Sequence, residues 1–135
     1  MNRYISPINA VIISILLLNA SCKKDRDFPN EEKVEATWKV HMYHGHDMPG
    51  FYLVPGNETF HFLRGTMVHK RTNPFPFDEI LRYRFTDNNH IEIISTGPSR
   101  ARSILRIDRI DETEFSFQIT NENNEVDRYV CNRQY

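Results

Sequence analysis

Two histidines and an aspartate lie close together near the start of the chain, and all three are residue types that bind zinc. His44, His46 and Asp47 fall within one short segment. Residues two apart on an extended chain point to the same side, so the two imidazoles could meet one ion or one ligand. Two or three ligands in a single loop also occur by chance, however. We therefore keep His44 and His46 as candidate ligand or partner contacts and predict no metal site.

Arg100 and two phenylalanines are the other candidates for recognition. Arg100 lies beside Gly97-Pro98, where a guanidinium could hold a carboxylate or phosphate or could simply be solvated in a turn. In residues 74–77, Phe75 and Phe77 alternate with two prolines that would hold the rings rigidly. Such rings favour either a contact for a ligand or partner, or a lid over the protein's own core.

The sequence has no pattern that indicates catalysis. It contains no nucleophile elbow, phosphate-binding loop, dinucleotide fingerprint or His-Glu-x-x-His motif. Its densest group of carboxylates, in residues 108–114, falls in a predicted turn, whereas acid–base catalysis needs a concave and partly dry site. We therefore predict a protein that is not an enzyme, has no catalytic residues and needs no cofactor.

The residues around Cys22 resemble those around a lipidation site. The start of the chain is positive through Arg3, and residues 10–18 form an apolar stretch shorter than the roughly 20 residues that cross a bilayer. Small residues follow, then Cys22 and two lysines. This layout resembles a bacterial lipoprotein signal peptide, residues 1–21, after which Cys22 becomes the lipidated first residue. A transmembrane helix and an ordinary secretory cleavage near Ala20 are the alternatives.

The charged segment after Cys22 resembles the same segment in lipoproteins of the Bacteroidota. We expect residues 22–33 to be the lipidated cysteine and a solvated tether with an r.m.s. reach of ~20 Å. The resemblance implies a palmitate-bearing membrane anchor at the outer membrane, on its periplasmic side or at the cell surface. Two or more acyl chains would make that anchoring effectively permanent. The membrane is therefore one expected partner.

Composition limits the remaining functions. Maturation at Cys22 removes one basic residue of 17 and no acid of 18, which leaves a net charge of −2. A chain without basic excess is a poor nucleic-acid binder, so we predict no such partner. Cys131 would remain as a single thiol, for which burial is the safest state.

Apolar residues alternate with polar ones from Thr37 onward, which indicates short half-buried antiparallel strands separated by turns. We predict a one-turn helix near 31–36 and an all-β fold, a small eight-stranded up-and-down antiparallel barrel spanning residues 34–135. The pattern also sets a register in which Phe85 faces Ile91 inside and Arg84 faces Glu92 outside. The eight strands are predicted near 37–43, 57–63, 66–70, 79–85, 90–95, 102–107, 114–120 and 126–133.

Both ends of this barrel resemble a known family. Ala36, Thr37 and Trp38 are similar to the Gly-x-Trp that opens the first strand of lipocalin-like domains, with alanine in place of glycine. Residues 129–133 are similar to the closing strand of that group, which ends in an arginine. The resemblance implies that Arg133 stacks on Trp38 and closes one end of the barrel. It also implies a small hydrophobic ligand inside.

Alternate loops of an up-and-down barrel emerge at the same end. With Trp38 at the closed end, the open end carries loops 44–56, 71–78, 96–101 and 121–125, which hold the candidate contacts Phe75, Phe77, His44, His46 and Arg100. Large side chains predicted to point inward should fill most of an eight-stranded barrel. We therefore predict an interaction or binding module of the cell envelope, with a carrier of a small hydrophobic ligand as the alternative. The predicted inward residues are Trp38, Met42, Phe60, Phe62, Tyr83, Phe85, Phe115, Phe117 and Tyr129.

Overall fold

The computed structural model describes residues 28–73 and 75–135, which form one short helix and nine strands. The predicted signal peptide and Cys22 lie outside the described residues. Within those residues, no helix is long and apolar enough to cross a membrane. The elements are α1 (Pro29–Val34), β1 (Thr37–His44), β2 (Tyr52–Leu53), β3 (Glu58–Leu63), β4 (Thr66–Arg71), β5 (Phe77–Phe85), β6 (His90–Ser95), β7 (Arg102–Ile110), β8 (Glu114–Thr120) and β9 (Val126–Gln134).

Eight antiparallel strands close into a barrel, as the alternation predicted. From β3 to β9 each strand pairs with the next, and β1 pairs with both β3 and β9. The sequence analysis did not predict the ninth strand, β2, which has two residues and pairs with Met42 and Tyr43 of β1. It occupies the edge that β1 leaves open, because β1 pairs with β3 only over Thr37–Lys39. The closed barrel and its buried core are formed by residues 28–73 and 75–135.

The β3–β4 hairpin shows why one turn could be located from the sequence. Leu63 pairs with Thr66, so only Arg64 and Gly65 connect the strands. Both have positive φ, 48° and 81°, as the commonest two-residue hairpin turn requires. Glycine adopts that conformation without steric cost, which favours the turn at this position.

A bulge in β1 overturns one predicted inward residue. The register with β9 shifts between Val40 and Met42, so the alternation of faces reverses there. Met42 pairs with Val130 on the outer face, whereas Tyr43 pairs with the buried Tyr129 and packs against the core. The prediction that Met42 points inward was therefore wrong, and Tyr43 takes its place.

Aromatic rings fill the barrel interior. Phe60 and Phe62 of β3 contact Phe117 and Phe115 of β8, with ring centroids 5.3 and 5.9 Å apart. These four rings are fully buried, and Tyr129 stacks on Phe117 at 5.2 Å. The predicted filling by large side chains is therefore what the described part of the barrel shows.

Trp38 and Arg133 close one end, as the lipocalin-like resemblance implied. Trp38 is fully buried, and its indole Nε1 donates a hydrogen bond to the Val34 carbonyl of α1 at 2.9 Å. The guanidinium of Arg133 lies 5.8 Å from the indole centroid. The helix starts two residues before the predicted 31–36 and is fixed to the β5–β6 turn, where Asn30 bonds to Asn88. The helix therefore helps to close this end of the barrel.

Replacing Arg133 with methionine should lower the free energy of unfolding by about 1 kcal/mol, because the apolar stem remains and the cation–π contact is lost. Urea titration measures this loss. Lys39→Met on the outer face of β1 is the control and should change stability by less than about 0.5 kcal/mol. Equal losses in the two variants would show that the stacking on Trp38 contributes nothing.

The predicted register of β5 and β6 is also confirmed, with Phe85 opposite Ile91 and Arg84 opposite Glu92. Glu92 differs from the expected wet surface residue, since it is only 7% exposed. Arg84 and Arg102 cover it from the two neighbouring strands and both form ion pairs with its carboxylate. This outer carboxylate is therefore held by two cations.

Candidate functional site at the open end of the barrel

The four predicted open-end loops are joined to one another by direct contacts. The first two meet where the Thr72 amide donates to the Asn57 carbonyl at 3.0 Å. Gly56 lies so near this loop that an added Cβ would be 2.5 Å from the Asn73 carbonyl. On the other side, the amide of Arg102 donates to Glu122 at 3.0 Å and thereby joins the third and fourth loops. Because the His46 amide also donates to Asp127 beside the fourth loop, the four loops form one connected rim.

A buried charged cluster lies beneath this rim and faces the barrel interior. Glu58 is 2% exposed, and its Oε1 is 2.7 Å from Nε2 of His69. Its Oε2 accepts hydrogen bonds from Nε and one terminal nitrogen of Arg71, at 3.1 and 3.0 Å. All three side chains occupy inward positions of β3 and β4, in register with each other and with Phe60. We call these three residues the mouth cluster.

Two opposing effects set the pKa of Glu58. Burial raises it, but the hydrogen bonds and positive charge of His69 and Arg71 outweigh burial and hold the pKa below its ordinary value. The carboxylate therefore stays ionised inside the barrel. Its oxygens fix the orientation of both basic side chains, because each is held by a direct hydrogen bond.

Aromatic rings hold the two basic side chains of the cluster. His69 stacks on Phe60 at 4.1 Å and meets Phe77 edge-on at 4.6 Å. The Arg71 guanidinium lies 5.0 Å above the Phe77 ring. Charge and aromatic surface thus alternate at the mouth, an arrangement that limits the motion of these side chains.

A second polar group links the first and fourth loops. Asp127 accepts hydrogen bonds from the Tyr43 hydroxyl at 3.1 Å and from the His46 amide at 3.0 Å. Burial and the neighbouring Asp127 raise the pKa of Tyr43 to about 12, so its hydroxyl remains protonated and donates. The His46 ring lies 3.6 Å from Glu125 and 3.5 Å from Asp127. His46 therefore joins the two loops.

His44 and His46 contact different residues. Its Nε2 is 2.8 Å from the Met48 carbonyl, and its ring packs 5.2 Å from Phe51. Within residues 28–73 and 75–135, no group of three or more His, Cys, Asp or Glu has the geometry of a metal site. His44 contacts its own loop and Arg128 of β9, whereas His46 bridges to the fourth loop.

The other candidate contacts differ from one another. Phe77 is half-buried on His69 and Arg71, which matches the lid interpretation. Phe75 is 77% exposed, so it covers no core and remains open for contact. Arg100 is exposed in a turn with φ 45°, where its amide donates to Gly97.

Sequence reasoning missed an exposed apolar segment in the first loop. Phe51, Tyr52 and Leu53 are 48%, 47% and 70% exposed. Together with Phe75, they place large apolar side chains on the two loops that meet at Gly56. We call these four residues the apolar rim. In the sequence this segment is an apolar run between two predicted turns. The run shows no alternation of apolar and polar residues that would distinguish a strand from a loop.

The mouth cluster was also missed, although its signal was stronger. Glu58 lies two residues before Phe60, so the alternation that placed Phe60 inside also places Glu58 inside. An inward carboxylate requires inward cations, and His69 and Arg71 stand at alternate positions of β4. Pairing them with Glu58 requires the register, which the tight Arg64-Gly65 turn supplies.

Two features at or near the closed end are less suited to binding a ligand than the open end is. A cleft of about 300 Å³ lies there outside the barrel, and charged residues form most of its lining. Cys131 is fully buried, and burial, followed by the charge of Glu58, raises the pKa of its thiol. The predicted burial of Cys131 is therefore confirmed. The cleft is lined by Lys33, Ile110, Asp111, Glu112 and Arg133.

Comparisons with known proteins support the fold and leave the function open. No protein-family model matches the chain, and no curated protein matches it. Among solved structures, a redesigned β-barrel resembles it with a TM-score of 0.57 and 13% sequence identity, over 82% of this chain and 100% of that one. This likeness concerns the fold alone. The chain is a small, closed, antiparallel β-barrel with one added strand.

Proposed function

We propose that this chain is a lipid-anchored, non-enzymatic protein of the cell envelope, and that the open end of its barrel binds another envelope protein. The observation that carries the proposal is the apolar rim, which lies at the open end of a barrel already filled by its own rings. Large exposed apolar side chains on two touching loops are typical of an interaction surface.

The filled interior favours a protein partner over a small hydrophobic ligand. A pocket for such a ligand occupies about 300 Å³ or more. The space inside this barrel is taken by rings in mutual contact, among them Phe60, Phe62 and Phe117. A ligand would have to displace side chains that are fully buried.

The chemistry of the rim supports the same choice. Phe51, Tyr52 and Phe75 are aromatic, the residue class in which the energy of protein–protein binding concentrates. Polar side chains such as His46 and Arg128 lie on the same end of the barrel. Apolar contacts bordered by polar groups are the usual composition of a protein interface.

Membrane attachment rests on the sequence around Cys22. Mass spectrometry of the protein from cells should find the chain beginning at Cys22 with acyl groups attached, and Cys22→Ser should abolish them. A chain cleaved elsewhere, or found without acyl groups, would contradict the anchoring.

A crosslinking comparison tests the rim. In intact cells, the wild-type chain should crosslink to one envelope protein, and Leu53→Ser with Phe75→Ser should reduce that product at least about tenfold, since hot-spot side chains contribute 1–2 kcal/mol or more each. Leu63→Ser is the matched control because Leu63 is 49% exposed at the opposite end. Equal loss in the control would reject the rim. Recovery of a stoichiometric lipid from the purified protein, without any crosslink, would favour the ligand carrier.

A further inference from the structure

The outer face of strands β5, β6 and β7 carries an excess of arginine. Paired residues share a face, so Arg82, Ile94 and Arg102 form one row across the three strands, and Arg84, Glu92 and Ile104 form the next. Arg106 continues the face opposite His90. Four arginines thus share this face with three carboxylates: Asp78 two positions before Ile80 on β5, Glu92, and the Asp108 that pairs with Arg106. We call this surface the arginine face.

Aliphatic side chains lie between these arginines. Ile80 is 57% exposed and Ile104 is 42% exposed, and Ile94 lies between Arg82 and Arg102. The guanidinium groups remain available, since the side chains of Arg84 and Arg102 are 68% and 65% exposed despite their ion pairs with Glu92. A surface of spaced cations and exposed aliphatic groups suits an anionic, partly apolar partner.

The start of the described chain lies at the edge of this same face. The Phe28 ring stacks on Phe85, the last residue of β5, at 6.1 Å. Asn30 then bonds to Asn88 in the β5–β6 turn. The chain therefore joins the barrel where β5 ends and β6 begins. Arg82 lies three residues before Phe85, which is about 10 Å along the strand.

We infer that the arginine face lies on the anionic surface of the membrane that holds Cys22, an inference that rests on the lipid anchoring proposed above. The six steps from Cys22 to Phe28 reach at most about 20 Å. The barrel must therefore stay next to the lipid headgroups, with the β5–β7 side nearest the anchor.

Charge selects this side over the closed end. At the closed end, Glu31, Glu32, Asp111 and Glu112 outnumber Lys33, Arg109 and Arg133. A barrel standing on that end would therefore place an excess of carboxylates against anionic lipid. A barrel tilted onto the arginine face instead places Arg82 and Arg84 there, and each basic residue near such a surface contributes about fivefold in affinity. The tilt leaves the open end accessible from the side.

Vesicle binding by the unlipidated chain of residues 23–135 tests the face itself. This chain contains the whole described barrel, and it should bind vesicles containing phosphatidylglycerol more tightly than pure phosphatidylcholine vesicles, with the difference vanishing at high salt. Arg82→Glu changes the charge by two and should weaken binding about 25-fold. Arg82 lies outside the ion-pair cluster around Glu92, so the fold should survive, as circular dichroism would verify.

Lys39→Glu is the matched control, because Lys39 lies on the outer side of β1, across the barrel. It should leave vesicle binding within about twofold of the wild type, since its side chain would not reach the lipid. Equal weakening by the two variants would overturn the inference. So would binding of soluble polyglutamate without binding of anionic vesicles, which would point to an acidic protein as the partner.

The orientation of the lipidated full-length protein separates this inference from the anchoring. A fluorophore on Ile104→Cys should be strongly quenched by headgroup quenchers, and one on Asn132→Cys, on the exposed side of β9, should not be. Cys131 is buried and would not take the label. Equal quenching in a protein that carries its acyl groups would overturn the tilt and leave the anchor intact. A protein without acyl groups would contradict the anchor, and the vesicle titration would still decide the face.

Discussion

Replacing Phe60 with alanine should lower the free energy of unfolding by about 3–5 kcal/mol, the loss expected for truncating a buried aromatic ring. Phe60 is fully buried, and its ring lies 5.3 Å from Phe117, 5.0 Å from Tyr129 and 4.1 Å from His69. Its removal therefore opens a cavity between the aromatic core and the mouth cluster. Urea unfolding followed by circular dichroism measures the loss.

Phe75→Ala is the matched control for Phe60→Ala, since the same atoms are removed from a ring that is 77% exposed. It should change stability by less than about 0.5 kcal/mol. A domain of this size has roughly 5–15 kcal/mol in total, so Phe60→Ala could leave the barrel barely folded. Phe60→Leu then provides a milder variant with an expected loss of about 1–1.5 kcal/mol. Equal effects at positions 60 and 75 would show that the barrel interior is not closely packed.

The strands could be predicted because each one is indicated by the alternation of residues that are adjacent in the sequence. In β8, Phe115 and Phe117 alternate with Ser116, and such alternation directly indicates a strand with one buried face. The Arg64-Gly65 turn is equally local. The bulge at residue 41 has no such signal, because it follows from fitting β1 between β3 and β9. For that reason the prediction placed Met42 on the inner face and Tyr43 on the outer face, the reverse of what the structure shows.

The candidate site was harder to predict than the fold. The grouping of the loops followed from topology alone, but topology does not say which side chains turn toward the core. Phe75 and Phe77 each follow a proline, yet only Phe77 is in register with Arg71 on β4 and can cover the mouth. Phe75 belongs to the loop and stays exposed. The distinction depends on where β5 begins, which the sequence prediction placed two residues late.

Glu58→Gln should lower the free energy of unfolding at neutral pH by about 3 kcal/mol. Removing one partner of a buried ion pair leaves the other charge without compensation, and this costs about 3–5 kcal/mol in well-buried pairs. Arg71 is 28% exposed and His69 14% exposed, so water can relieve part of that cost and the lower figure applies. The glutamine side chain has nearly the same volume, so packing is retained.

The pH dependence distinguishes this electrostatic effect from a loss of packing. His69 and Arg71 hold the pKa of Glu58 below its usual value of 4.5. A lowered folded-state pKa stabilises the protein above the unfolded-state pKa, and this contribution disappears as the pH falls through the folded-state value. The stability difference between the wild type and Glu58→Gln should therefore shrink as the pH falls below about 4.5.

Glu92→Gln provides the matched substitution on the outer face. Its partners Arg84 and Arg102 are 68% and 65% exposed, so both can turn to water when the carboxylate is lost. The expected loss is below about 1 kcal/mol. Denaturation curves for both variants from neutral to acidic pH measure the two costs under the same conditions. If the two glutamine variants were equally stable, or if the Glu58→Gln difference persisted unchanged in acid, the mouth cluster would not be an ionised group held inside the barrel. Its two basic side chains would then have no fixed orientation toward the rim.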